Sequence, residues 1–388
     1  MSVTTAAGFE ASGVACGIRR DRLDLALVRS TPPSVGAAMF TTNRMQAAPV
    51  VVSCEHLAVA EPQAVVVNSG VANAATGAQG ISDARATAAE AARLLDLEPE
   101  QVVVLSTGVI GAPLPMESLL AGLAEAAVAL ADEGGTAAAE AILTTDTHAK
   151  QSAAAGAGFT VGGMAKGAGM IHPHLATMLA VVTTDYPLDS GDEARAFLAP
   201  AVEGSFNSIS IDGECSTNDA VVLLANGASG LDRSAETDDA FAAALDSVCS
   251  DLAAQIVADG EGVSMVAEID VAGAASRAEA AAVARRIATS PLVKTALFGR
   301  DASWGRVLAA AGSAPYNGGF AQLDPDRVTL RFNGTTVLHR GVPQVVEPEL
   351  AGASCRIELD LGLGDGAAGY LTSDLSYEYV RINAEYRT

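Results

Sequence analysis

Thr177 stands where a glycine-punctuated stretch beginning at Gly162 gives way to an apolar, β-prone run from Met178 to Thr184. A hydroxyl residue that opens an apolar strand behind a flexible loop suits a chain that cuts itself before that residue. Oγ would attack the Ala176 carbonyl, the acyl group would shift from nitrogen to oxygen, and water would release the ester. The new N-terminal threonine would then carry nucleophile and base together, because its own α-amine, with an ordinary pKa of about 7.7–8.0, lies within reach of Oγ. Such a residue can work as a nucleophile without a histidine or a metal. Spacing alone only suggests this, since Ala-Thr occurs four times, before Thr76, Thr87, Thr177 and Thr289. His172 and His174 form an HxH pair in the same stretch. A proline separates them and no carboxylate sits at ligand spacing, so they are expected to shape the approach to Thr177 rather than to hold a metal.

The segment Lys166-Gly-Ala-Gly-Met-Ile-His-Pro-His-Leu-Ala-Thr-Met-Leu179 resembles the signature of the ornithine acetyltransferase family, the glutamate N-acetyltransferases of arginine biosynthesis. Further similar blocks follow in order along nearly the whole chain. They are Gly8–Ile18, Asn68–Asn73, Ser106–Gly111, Thr144–Asp146, Asp212–Asp219, Gly260–Gly262, Lys294–Gly299, Trp304–Arg306 and Asn383–Tyr386. The resemblance implies a ping-pong acyltransferase. N2-acetylornithine acylates Thr177, ornithine leaves, and the α-amine of glutamate collects the acetyl group. It implies autoproteolysis at Ala176-Thr177, giving pieces 1–176 and 177–388 that stay intertwined in a four-layer α/β/β/α sandwich and pair as an α2β2 assembly. No cofactor is implied, and acetyl-CoA as a second donor is left open. The alternative on the same fold is an N-terminal-nucleophile amidohydrolase or aminopeptidase, with water as acceptor.

Residue by residue, the resemblance implies an oxyanion hole at Thr107 and Gly108. The chemistry agrees, because a Thr-Gly turn after the β run Val102–Leu105 can present a hydroxyl and a backbone N–H to one point. Small acidic and zwitterionic substrates need a cation for their carboxylate, and Lys166 is expected to supply it. Glu261 is expected to pair with the ornithine ammonium. Thr144, Asn383 and the terminal Thr388 correspond to further substrate contacts. Two positions depart from the family pattern. Met265 stands where a lysine is frequent, which would change charge near the substrate ammonium, and Asp301-Ala-Ser-Trp304 replaces Asp-Pro-Asn-Trp.

Composition narrows the field from the other side. Lys and Arg number 23 against 46 Asp and Glu, a net charge of −23 with no basic cluster, which argues against a nucleic-acid partner. The alanine-rich run from Ala121 to Ala141 is interrupted by Glu125, Asp132 and Glu133 and falls short of a membrane span. No export signal is visible, and five scattered cysteines without a CxxC pair point to reduced thiols and a cytoplasmic enzyme.

The elements that must position these residues read as an α+β mixture without regular βαβ alternation. Strands are expected at 24–28, 49–52, 64–68, 102–105, 178–184, 208–211, 220–224, 264–271, 328–332 and 356–361. Helices are expected from Ser82 or Asp83 to Leu95, and at 116–132, 194–202, 238–258 and 277–288.

Overall fold

The computed structural model describes residues 2–172 and 178–385. Two compact units emerge among the described residues: the first takes in the chain to Asn207 and the segment Glu214–Ile256, the second Ser208–Gly213 and residues 257–385. In chain order, the elements up to the end of the first unit are β1 (Phe9–Val14), β2 (Leu25–Ser30), β3 (Val35–Phe40), α1 (Ala48–Leu57), β4 (Ala64–Val71), α2 (Gly77–Leu95), β5 (Val102–Val109), α3 (Met116–Val128), α4 (Gly135–Ala141), β6 (Lys150–Ala155), β7 (Thr160–Lys166), β8 (Leu179–Thr184), α5 (Gly191–Gly204), the short β9 (Ile209–Ser210), β10 (Ala220–Ala225) and α6 (Ala235–Ala258).

The first unit holds two sheets. One runs β1-β2-β4-β5, with β4 and β5 parallel and joined through α2; the other runs β3-β10-β8-β7-β6. Alternate residues of the first sheet go to opposite sides. Val28, Val65, Val67, Val103 and Leu105 meet Met164, Leu179, Val181, Val222 and Leu224 of the second sheet in one apolar cluster. Leu25, Leu27, Val66, Val102 and Val104 pack instead under Ala84, Ala88 and Leu95 of α2 and Leu119 and Leu123 of α3. Helices α5 and α6 take the outer side of the second sheet, with Val248 and Leu252 of α6 above Gly163 of β7. The unit is therefore the expected α/β/β/α sandwich, with strands buried on both faces and so reading as unbroken apolar runs.

Three local readings are corrected. Residues 49–52 lie in α1 and not in a strand: Pro49 occupies the first helical turn, where its missing N–H costs nothing, and packing overrides the β preference of three valines. Helix α2 starts after Thr76, not at Ser82 or Asp83. The glycines at 162 and 163 stand in β7, paired on both sides, rather than in a loop. There a Cβ on Gly162 would lie 2.3 Å from the Ser2 carbonyl oxygen, so the N-terminal segment can cross the strand only at a glycine. The run from Ala121 to Ala141 divides between α3 and α4. Among the described residues, α6 is the helix with the length and composition to cross a membrane, and its Phe241, Leu245, Val248, Leu252 and Ile256 are buried in the protein.

The second unit continues with β11 (Val266–Ala274), α7 (Arg277–Ala288), α8 (Pro291–Phe298), α9 (Trp304–Ala311), β12 (Pro315–Tyr316), β13 (Gly319–Phe320), β14 (Thr329–Phe332), β15 (Thr335–His339), β16 (Val342–Pro343), β17 (Ser354–Asp360), β18 (Gly366–Ser373) and α10 (Tyr377–Glu385). Seven strands run β16-β15-β14-β17-β11-β18-β9. Helix α7 covers one face, where Ile269, Val271, Ile357 and Leu359 meet Val283, Ala284 and Ile287. The opposite face carries Glu268, Asp270 and Arg356, with the Arg356 guanidinium 2.7 Å from Asp270. Met265 is fully buried in the unit's apolar cluster. Trp304 opens α9 and packs against the same cluster.

Candidate active site

Ala176 and Thr177, the expected cleavage pair, lie outside the described residues, as do His174 and Thr388. What can be built is the scaffold around them. Strand β8 begins two residues after Thr177, and its neighbour β7 ends at Lys166.

Lys166 is 2 % exposed, which is unusual for an ammonium unless it is paired. Its Nζ donates to Thr107 Oγ1 over 3.3 Å. Thr107 is itself buried, and it sits within β5 rather than in the turn expected after Leu105. The ladder with β4 shifts register here, so that Val71 faces both Thr107 and Val109. Gly108 lies at this irregularity with φ +132°, and a Cβ on it would be 2.2 Å from the Gly70 carbonyl carbon. Only glycine fits, and a bulge of this kind takes a backbone group out of regular pairing. Thr107, Gly108 and Lys166 thus converge.

Thr144 joins them through Asp146. That carboxylate accepts from the Thr144 backbone N–H (3.0 Å) and Oγ1 (3.4 Å), from the Gly167 N–H (2.7 Å) and from Lys150 Nζ (2.7 Å). The Lys150 and Asp146 side chains are both fully buried. Burial would raise the Asp146 pKa, but the Lys166 and Lys150 ammonium groups and these hydrogen bonds hold it well below the usual carboxylate range. Asp146 therefore remains an anion that fastens the end of β7 to the Thr144 loop. Sequence reasoning gave Asp146 and Lys150 no role. The signal available was a carboxylate two residues after Thr144 and a lysine four residues further on.

Asn218 and Asp219 were also missed, although both fall in the Asp212–Asp219 block. Asn218 Nδ2 donates to the carbonyls of Ala72 (2.6 Å) and Ser106 (2.8 Å), tying the loop before β10 to the residue before Thr107. Asp219 Oδ1 accepts the N–H of Met178 over 3.0 Å, which fixes the start of β8.

Glu261 and Asn383 belong to the second unit. There Asn383 Nδ2 donates to Glu261 Oε2 over 2.8 Å, leaving a half-buried carboxylate oriented by an amide. Neighbouring Gly262 has φ +67°, and a Cβ on it would be 2.4 Å from the Tyr379 nitrogen, so this glycine lets the loop lie against α10.

An arrangement in which a hydroxyl, a strand irregularity and a buried cation converge beside a glycine-rich segment ending in threonine is suited to acyl transfer. The model of the ArgJ family matches residues 10–388. The chain belongs to the ArgJ family. The arginine biosynthesis bifunctional protein ArgJ of Mycolicibacterium paratuberculosis is 49 % identical, the match covering 99 % of this chain and 96 % of that one. The protein of the same name from Symbiobacterium thermophilum is 46 % identical over 100 % of this chain and 98 % of its own. Among solved structures, an ornithine acetyltransferase of Mycobacterium tuberculosis complexed with ornithine is 44 % identical over 44 % of this chain and 94 % of its own, with a TM-score of 0.42. As an ArgJ enzyme the chain is a glutamate N-acetyltransferase of arginine biosynthesis.

Proposed function

We propose that this ArgJ chain moves the acetyl group of N2-acetylornithine to glutamate through an acetyl ester on Thr177, after cutting itself between Ala176 and Thr177. The observation that carries this reading is the contact between Lys166 and Thr107. Because the Thr107 hydroxyl accepts from an ammonium, its own proton is free and polarised for donation to a developing oxyanion. The Gly108 N–H, at the strand irregularity, is the second donor. Lys166 then serves two ends, polarising Thr107 and offering positive charge to a substrate carboxylate in a buried setting where that charge is strongly felt. Thr144, held by Asp146, is a further substrate contact. In the second unit, the Glu261 carboxylate oriented by Asn383 is a ready acceptor for an ammonium group. The family resemblance supports Thr388 as a further contact, an α2β2 assembly, a cytoplasmic setting and acetyl-CoA as a second donor.

The test is intact mass and N-terminal sequencing of wild type beside Thr177→Ala, followed by acceptor assays. Two fragments from wild type, the second starting at Thr177, and an uncut variant establish the nucleophile. Acetyl transfer to glutamate should outrun hydrolysis of N2-acetylornithine; the reverse would make the enzyme an amidohydrolase. Active wild type that stays uncut would remove the N-terminal amine from the mechanism.

A further inference from the structure

Helix α10, all of it among the described residues, buries none of its nine residues. A helix this short is marginal in water without support from the rest of the fold. Besides the edge-on meeting of the Tyr377 ring with Phe298, its support is polar. Ser376, buried and standing just before the helix, accepts the Tyr379 N–H at Oγ over 3.1 Å, the bond that an N-cap makes to the third helical residue. The same hydroxyl donates to the Gly262 carbonyl over 2.6 Å. The Tyr379 hydroxyl donates to Asp212 over 3.3 Å.

The carbonyl that Ser376 holds belongs to the residue next to Glu261. The helix that Ser376 caps carries Asn383, whose amide donates to the Glu261 carboxylate over 2.8 Å. One hydroxyl therefore joins the two elements that supply this pair. Serine suits the double task, because its oxygen accepts through a lone pair while its single proton goes elsewhere. The approach is close: a Cβ on Gly262 would lie 2.8 Å from Ser376 Oγ. The Ser264 N–H, donating to Asp374 over 2.9 Å, ties the same loop two residues further on.

We propose that Ser376 is the positioning residue for the ammonium acceptor. By pinning α10 to the Glu261 loop it fixes the Glu261 carboxylate and the Asn383 amide relative to each other. A charge-assisted hydrogen bond depends on such geometry, so Ser376 also sets the preference for an acetyl donor that carries an ammonium group. It acts through Glu261 and not on the substrate. The inference rests on the reading of Glu261 as ammonium acceptor and deepens it.

The test compares two donors in the full-length enzyme. One is N2-acetylornithine; the other is N-acetylnorvaline, which has the same carbon chain without the side-chain ammonium. In a ping-pong reaction kcat/KM for the donor reads the first half-reaction, so the ratio of the two values isolates the ammonium. Ser376→Ala should lower that ratio about fivefold, the size expected of a lost cap hydroxyl, with N-acetylnorvaline changed by less than about twofold. Damage to the fold would lower both donors together and leave the ratio in place. Ser376→Thr keeps a hydroxyl and should keep the ratio. Ser376→Asp separates the two bonds, since a carboxylate caps α10 but has no proton for the Gly262 carbonyl. It should lower the ratio as Ser376→Ala does, and it carries the test if Ser376→Ala is insoluble. If N-acetylnorvaline turns over too slowly, its inhibition constant against N2-acetylornithine takes its place. The wild-type ratio in Ser376→Ala would overturn the proposal and leave the loop to Asp374; in Ser376→Asp it would overturn it too, because the cap alone would then suffice. Glu261→Gln tests the underlying reading separately. An unchanged ratio there would remove Glu261 as the ammonium acceptor, whereas a lowered ratio beside an unchanged one in Ser376→Ala would sink the positioning role alone.

Discussion

Lys294 opens no site described above, yet it is the more telling of the buried lysines for stability. Its Nζ donates to the Ser373 carbonyl, to Thr372 Oγ1 at 3.1 Å and to Ser373 Oγ at 3.3 Å, holding α8 to the end of β18. Burial lowers its pKa to about 8, against the upward pull of Asp212 and Asp374. An unfolded lysine titrates near about 10.4. Between these values the unfolded chain binds more protons than the folded one, so stability rises with pH across that window. Below pH 8 both states are protonated and the fold bears the full cost of a buried ammonium. The difference in melting temperature between wild type and Lys294→Met should therefore shift in favour of wild type from about pH 7 to about pH 10; a constant difference would refute it. The resemblance marked Lys294 as the start of a block, but nothing in the sequence said that it was buried. Lys166 shows the same limit. Its place before Thr177 flagged it, while its contact with Thr107 depends on two strands in different sheets.

At the scale of elements, what was legible follows from burial. Strands β2, β4, β5, β8 and β10 are covered on both faces, and their apolar runs announce them. Strands β6 and β7, rich in Ala and Gly, carry no such run and were invisible. The valines at 50–52 misled for a definite reason: α1 lies along the free edge of β5 and covers it. Ser53 Oγ donates to the Val104 carbonyl at 2.8 Å and accepts from its N–H at 2.9 Å. His56 Nδ1 lies 2.9 Å from the Val102 carbonyl, so it is the protonated nitrogen there. The apolar residues belong to a helix that acts as a strand's neighbour. The Thr-Gly pair misled in a related way, since it ends an edge strand as an irregularity and not as a turn. Gly108→Ala tests that reading. Its Cβ would strike the Gly70 backbone at a φ that side chains rarely adopt, pushing β4 and β5 apart beside Thr107. Losing one oxyanion donor costs about 10²–10³ in kcat, and Gly108→Ala should lose at least that much while KM changes little. Unchanged kcat would remove Gly108 from the site.

The molecule as a whole sets the consequence of the proposed cut. The second sheet of the first unit takes β3, β6 and β7 from residues before 177 and β8 and β10 from residues after it. Cleavage would leave two interior seams made by different chains: β7 with β8, six residues paired from Val161–Thr184 to Lys166–Leu179, and β3 with β10, six more. The apolar cluster between the sheets likewise draws Val65, Val103 and Leu105 from one piece and Val181, Val222 and Leu224 from the other. Neither piece can keep this sheet alone, since each would expose hydrogen-bonding strand edges and half of a core. The two fragments should therefore co-elute in gel filtration at high salt and part only in denaturant, because the seam is backbone pairing and apolar contact, which salt does not screen. They should unfold in one transition by circular dichroism and by fragment-resolved hydrogen exchange. Separation under native conditions, or two resolved transitions within the first unit, would mean that the cut falls elsewhere and that the strand order does not bind the pieces together.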